Sequence, residues 1–221
     1  MSAATDAVIA AHPLFRGLDA DGLRRAMDFL SAAEKRYRRD EQLNRFLQPL
    51  EHFGLVLEGS VQVQMDDIDG ELIIMANVNA GETFGESLCF LGMDAPVYIR
   101  AVTDARVLWM DTRRLRAPGG RDAFECMMAD RFTSMLASRA LAMNDRIQVL
   151  SKKSLRAKLA TFFSQCVQRL GSRFELPLNR ADMAAYLGTE RSALSRELSN
   201  MRRDGLIDFE KNRFVIKTKN D

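Results

Sequence analysis

The chain has 221 residues, 47% of them hydrophobic, with 32 Lys+Arg against 30 Asp+Glu. That is enough apolar material for a buried core and for two domains. No apolar run reaches the roughly eighteen residues of a membrane span, and the opening Met-Ser-Ala-Ala-Thr-Asp has neither the basic nor the apolar part of a secretory signal, so a cytoplasmic protein with no membrane partner is expected.

In chain order, a helix is predicted first over Asp19–Leu30. Strand grammar follows. Leu55 to Gln64 places Val61 and Val63 in alternation after a Glu58-Gly59 turn. Asp69-Gly70 then precedes the apolar run Leu72–Val78, a hairpin signal. Asp67-x-Asp69-Gly70 also has the start of a calcium loop, but no glutamate follows at the needed spacing, so the hairpin is preferred. Gly81-Glu82 and Gly85-Glu86 punctuate further short segments, and Tyr98–Val102 and Arg106–Met110 read as two more strands. Short strands between glycine turns indicate an antiparallel barrel or roll.

From about Asp122 to Leu150 the pattern becomes helical. Phe132, Leu136, Ala140, Met143, Ile147 and Leu150 form an apolar stripe at spacings of three and four. A helix of this length runs about 40 Å, more than one small domain needs. Its stripe is therefore predicted to pair with the same helix of a second subunit, with Phe124 and Met127 on the barrel.

The last segment is the most distinctive. Asn179 can cap a short helix, with Asp182 in its first turn. Met183, Ala184 and Leu187 give that helix an apolar side, and Gly188 ends it. Thr189 can cap the next helix, where Leu194, Leu198 and Met201 form the buried stripe. Arg191, Ser192, Ser195, Arg196 and Ser199 are left facing outward, with donors suited to guanine, other base edges or phosphate. Gly205 closes the helix. Leu206–Phe209 and Phe214–Lys217 form a hairpin around Glu210 to Arg213, a wing. An ordinary helical hairpin with a solvated basic face is the plainer alternative, but the charge distribution opposes it. Residues 151–221 hold 15 Lys+Arg against 8 Asp+Glu, a balance of +7, and residues 1–150 hold 17 against 22. A basic end on an acidic body suits a DNA-binding module joined to a different domain.

Leu57-Glu-Gly59-Ser-Val-Gln-Val63, Gly81-Glu-Thr-Phe-Gly85-Glu86, Ile99-Arg-Ala101, and Leu187-Gly-Thr189 through Arg196 together resemble the family of the cyclic-AMP receptor protein and the fumarate-nitrate regulator. The likeness covers essentially the whole chain. It implies an α+β fold: a β-roll of the cyclic-nucleotide-binding type (a double-stranded β-helix) over 1–121, a long dimerisation helix over 122–150, and a winged helix-turn-helix over 151–221. It also implies a homodimeric transcription factor on pseudo-palindromic double-stranded DNA, in contact with RNA polymerase and switched by a small-molecule effector. The DNA contacts it places are Asn179, Arg180, Thr189, Arg191, Ser192, Ser195, Arg196 and Arg202. The effector pocket it places comprises Gly85, Glu86, Ser87, Leu88, Pro96, Val97, Met143 and Asn144.

Departures from the family pattern define the rest. Members that bind cyclic AMP hold its phosphate with an Arg-Ser pair, and here those positions are Ala95 and Pro96, which bring no charge, no hydroxyl and, at the proline, no N–H. Arg100 is near in sequence, but strand alternation leaves its direction open. The adenine-contacting Thr-Ser pair falls at Met143-Asn144. The chain is therefore expected not to respond to cyclic AMP. An iron–sulfur cluster is argued against because the first cysteine is Cys89, with no cluster near the N-terminus. Haem stays open: His12 and His52 are more ordinarily surface or packing residues, and Cys89 and Cys126, which could report oxidation or ligate haem, more ordinarily inert thiols. Phe84, Leu88, Phe90, Val97 and Met143 would give an apolar lining. In the reading helix Ser192 replaces the family's cytosine-reading glutamate, while Ser195-Arg196 is retained. Arg196 is the first candidate for guanine, Arg191 the second, and Arg202 a sequence-independent contact.

The three cysteines are odd in number and widely spaced, so no disulfide framework or metal site is predicted. No nucleophile constellation appears, and Gly81-x-x-x-Gly85 lacks the Lys-Ser/Thr of a phosphate loop, so no enzyme is predicted. The competing class is a haem- or thiol-based redox or gas sensor on the same scaffold.

Overall fold

The computed structural model describes residues 3–67, 69, 72–117, 122–176 and 178–217. It divides into two compact units, Met1–Leu136 and Ala137–Asp221. The first opens with helices α1 (Ala3–Ala11) and α2 (Ala20–Phe29). Strands follow: β1 (Ala33–Tyr37), β2 (His52–Glu58), β3 (Ser60–Asp66), β4 (Leu72–Asn79) and β5 (Thr83–Phe84). After the short helix α3 (Glu86–Leu91) come β6 (Tyr98–Ala101), β7 (Ala105–Asp111) and α4 (Arg113–Arg116). Helix α5 (Ala123–Leu150) begins in this unit and ends in the second.

The strands form two antiparallel sheets, in the orders β1-β7-β2-β5 and β4-β3-β6. Alternation decides what each face buries. Tyr37, Val56, Ala105 and Val107 of the first sheet share one buried cluster with Val61, Ile99 and Ala101 of the second, which is the inside of the roll. The opposite face of the first sheet carries Phe53, Leu55, Leu57, Leu108 and Met110, and packs with Ile9, Phe29, Leu30 and Phe132 from the helices. Burying each such side chain contributes about 1.5–3 kcal/mol.

Asp19 caps helix α2, its side chain accepting from the Gly22 amide at 2.8 Å. Phe124 and Met127 lie on the roll's core, as expected. Phe132 departs from expectation. It is buried between Phe53 and Phe90, with ring centroids 5.5 and 5.4 Å away, so it is not available to a second subunit. Leu136 also packs partly against that core. The stripe left exposed is Ala140, Met143, Ile147 and Leu150, joined by Leu141. Gly70 of the anticipated Asp69-Gly70 turn lies outside the described residues.

The second unit continues with α6 (Leu155–Leu170), β8 (Arg173–Glu175), α7 (Arg180–Leu187), α8 (Arg191–Arg203), β9 (Ile207–Glu210) and β10 (Arg213–Ile216). Its sheet runs β8-β10-β9. The core joins Val149 of α5 to Leu159, Phe163, Leu187, Leu194, Leu198, Met201, Ile207 and Phe214. Helix α6 and strand β8 are not among the predicted elements, although α6 supplies three buried side chains to this core.

Candidate nucleic-acid interface

Two short helices meeting at a glycine build the site. Asn179 accepts from the amides of Ala181 and Asp182 at 2.8 and 3.0 Å, and Asp182 accepts in return from the Asn179 amide at 3.3 Å. This reciprocal cap satisfies donors that the start of α7 would otherwise leave orphaned. At the other end Gly188 adopts φ 58° and ψ 54°, a left-handed conformation costly for other residues. The Gly188 amide then bonds to Ala185 O at 3.3 Å and the Thr189 amide to Ala184 O at 3.0 Å, the paired closure of a Schellman motif.

That closure corrects the start of α8. Thr189 belongs to the end of α7, and Glu190, extended at φ −72° and ψ 141°, precedes the helix without a side-chain bond to it. Leu194, Leu198 and Met201 are buried, and Arg191, Ser192, Ser195, Arg196 and Ser199 are exposed on the other side. Among the described residues, Arg191 and Arg196 take no carboxylate partner. The hydroxyls of Ser195 and Ser199 donate back to the carbonyls of Arg191 and Ser195, at 3.0 and 2.9 Å. Their lone pairs stay outward while their protons are engaged.

Other basic residues hold the module together. Arg180 donates to Lys211 O at 2.8 Å and lies over the Phe209 and Phe214 rings, 5.1 and 5.2 Å from their centroids. Burial lowers its pKa from the ordinary arginine value. It pins the wing from a half-buried position. Arg202 pairs with Asp208 at 2.8 Å and covers Phe209 at 5.3 Å, joining α8 to β9. Arg156 of α6 bonds Glu197 and Asp204, both at 2.6 Å, at the middle and end of α8. The wing turns at Lys211 and Asn212, and exposed Lys211 has φ 49°. Lys211 was not singled out from sequence, although the polar Glu210–Arg213 loop marks its position.

The roll brings together only part of the anticipated effector pocket. Glu86 is buried and accepts from the Thr83 hydroxyl at 3.4 Å, while Ser87 and Pro96 are exposed. Val97 and Ala95 are buried in the roll's apolar cluster. Gly85 adopts φ 78°, a left-handed conformation that favours glycine, and a Cβ there would also lie 2.3 Å from Leu50 Cδ2. Arg100 points out of the roll and pairs with Asp40 at 3.2 Å. Residues 94–101 thus bring no cation to the interior. Met143 and Asn144 belong to the second unit, and both are exposed.

Cys89, Cys166 and His12 sit in ordinary packing environments. Cys89 is buried, its Sγ 3.1 Å from Glu51 O, and burial pushes its pKa up, against thiolate formation. Burial also pushes Cys166 up, to about 11. Cys126 is exposed. His12 is buried against Phe15, with Nδ1 accepting from the Leu14 amide at 3.4 Å. Among the described residues, no three His, Cys, Asp or Glu side chains gather as metal ligands.

Comparison with known proteins places both parts. Residues 157–220 match the Crp-like helix-turn-helix domain, and residues 34–117 the cyclic nucleotide-binding domain. The transcriptional activator protein FnrL of Cereibacter sphaeroides is 32% identical over 114 residues, 44% of this chain and 46% of that protein. Electron transport regulator A of Shewanella oneidensis is 31% identical over 88 residues, 37% of this chain and 35% of that one. Each match thus spans less than half the length of the curated relative. The crystal structure of Thermus thermophilus catabolite activator protein superposes with a TM-score of 0.50 at 22% identity, covering 93% of both chains. At that identity the likeness shows the fold.

Proposed function

Because the chain belongs to the family of the cyclic-AMP receptor protein and the fumarate-nitrate regulator, whose members are transcription regulators and not enzymes, we propose that it is a homodimeric, sequence-specific DNA-binding regulator switched by an effector other than cyclic AMP. The observation that carries the reading is α8 itself. One side is locked into the core through Leu194, Leu198 and Met201, and the other presents Arg191 and Arg196 without carboxylate partners among the described residues. A rigid helix with unspent guanidinium groups can dock in a major groove and donate in pairs to guanine. Asn179, Ser192, Ser195 and Lys211 supply nearby polar contacts to backbone or base edges. Ser192 in place of the family's glutamate shifts the preferred base at that half-site position.

The wider proposal keeps three segments, a sensing roll over 1–121, a dimerisation helix over 122–150 and a DNA-binding module over 151–221. It also includes contact with RNA polymerase and a cytoplasmic location. No helix of the described residues is long and apolar enough to cross a membrane. Pro96, buried Ala95 and outward-facing Arg100 support an effector without a cyclic phosphate.

The test begins with DNA selected from a random pool by the wild-type protein, followed by mobility shifts across salt. Binding should fall steeply as salt rises. Arg196→Ala should cost about 1–3 kcal/mol on the selected site and little on unrelated DNA. Arg202→Ala should weaken both alike, because Arg202 steadies the wing. Equal losses on both DNAs from Arg196→Ala would refute the base-reading role.

A further inference from the structure

The first sheet carries a feature that neither the DNA module nor the Gly85–Val97 loop accounts for. Alternation places Ala33, Lys35 and Tyr37 of β1 on the roll-facing side, and Trp109 of β7 pairs with Ala33 on that side. Residues 43–51 pass across its mouth, held there by Leu43, Leu47 and Ala95 backbone bonds. Between them lies an open cavity of about 600 Å³, within the range of small-molecule sites. Leu43, Leu50, Tyr37 and Trp109 give it an apolar and aromatic floor, and Lys35, Arg45, Asn44, Gln48, Glu51 and His52 its polar wall. None of these residues belongs to Gly85–Val97 or to α5.

The charges set this cavity apart from its neighbours. A cavity of about 530 Å³ beside Arg106 is already neutralised, since Arg106 is held by Glu34 at 2.8 Å and Glu58 at 2.7 Å. Another of about 400 Å³ has Arg100 on Asp40 at 3.2 Å and Tyr98 on Asp66 at 3.0 Å. At the β1 mouth, Lys35 and Arg45 form no ion pair among the described residues. The Lys35 ammonium lies 4.6 Å from the Tyr37 ring centroid. The Tyr37 oxygen accepts from Trp109 Nε1 at 2.9 Å, and among the described residues its own proton meets no acceptor. Two cations without a carboxylate partner among the described residues, Lys35 resting on the Tyr37 ring, thus stand around an apolar floor, against the single carboxylate of Glu51.

We propose that this mouth binds a small organic anion with an aromatic or branched apolar body, the body on Trp109, Leu43 and Leu50 and the anionic head at Lys35 and Arg45. The carboxylate gains charge-assisted hydrogen bonds, and the body removes the tryptophan face from water. This gives the chemical class of the effector and rests on reading the roll as a sensing domain.

Trp109 is the chain's single tryptophan, so its indole N–H resonance reports on this site alone. The probes are naphthalene-1-acetate and naphthalene-1-acetamide, alike in shape and different in charge, titrated into the full chain by NMR and calorimetry. The acetate should move the indole resonance saturably and bind more tightly than the amide. The double variant K35Q/R45Q alters two exposed side chains, and should weaken the acetate about tenfold while leaving the amide unchanged. Equal affinity for both probes, an indole resonance neither probe moves, or acetate affinity untouched by the double variant would each overturn the proposal. Mobility shifts on the same samples separate the two readings. Retained DNA binding without an anion response removes only this site, and an anion response without DNA binding removes only the regulator.

Discussion

His12 closes the end of α1 with its ring 5% exposed, and burial pulls its pKa from 6.5 down to about 4. The neutral imidazole is the form the folded chain holds. Below pH 6.5 the unfolded chain binds a proton that the folded chain refuses until about pH 4, so stability present at neutral pH is lost as pH falls through that window. The full loss is about 3 kcal/mol. Thermal unfolding followed from pH 7 to 4.5 should show a falling midpoint, and His12→Gln should flatten that fall. An equal slope in the variant would remove His12 as its cause. Sequence alone allows His12 to be a surface, packing or ligand residue, because one histidine near a proline carries no periodicity to show its direction.

At the scale of elements, the DNA-binding module shows which features local chemistry settles. The Asn179 cap, the Gly188 turn and the Leu194, Leu198 and Met201 stripe follow from spacing and propensity, and the structure places them as read. Features fixed by partners were less visible. Strand β1 buries only Tyr37 and exists through its pairing with β7, so Ala33–Arg36 carry no alternating pattern. Strand β8 is three residues long and depends on β10. Thr189 can cap a helix chemically, but its amide is used in closing α7. Arg180 is basic and adjacent to the reading helix, yet three contacts with the wing claim it. That last placement has a measurable consequence. Arg180→Ala removes a hydrogen bond to Lys211 O and the guanidinium over two rings, a loss of about 1–2 kcal/mol. Hydrogen exchange should quicken at the β9 and β10 amides while the middle of α8 stays protected. Weaker DNA binding with unchanged wing protection would instead make Arg180 a direct contact.

For the molecule as a whole, the exposed stripe of α5 needs a partner. Leu141, Met143 and Ile147 are each 63% exposed and Leu150 39% exposed, along a helix whose other large apolar residues serve the two cores. Phe132 and Val149 are taken up internally, so the surface proposed for a second copy is shorter than the sequence stripe and lies in the second unit's part of α5. Pairing these side chains would withdraw about 1.5–3 kcal/mol of apolar surface per large residue from water, and a twofold axis would repeat each contact. It would also present two copies of α8 to a pseudo-palindrome, so that the second half-site is engaged at a high effective concentration. Sedimentation equilibrium of the 25.0 kDa chain should therefore report twice that mass. The double variant Met143→Glu/Ile147→Glu should sediment as the single chain, since four like charges would face each other in an apolar seam. Its affinity for a full DNA site should drop roughly a hundredfold, with binding to an isolated half-site kept. A wild-type chain sedimenting as a monomer would refute the dimer, and a variant that stays paired would place the dimer contact away from the α5 stripe.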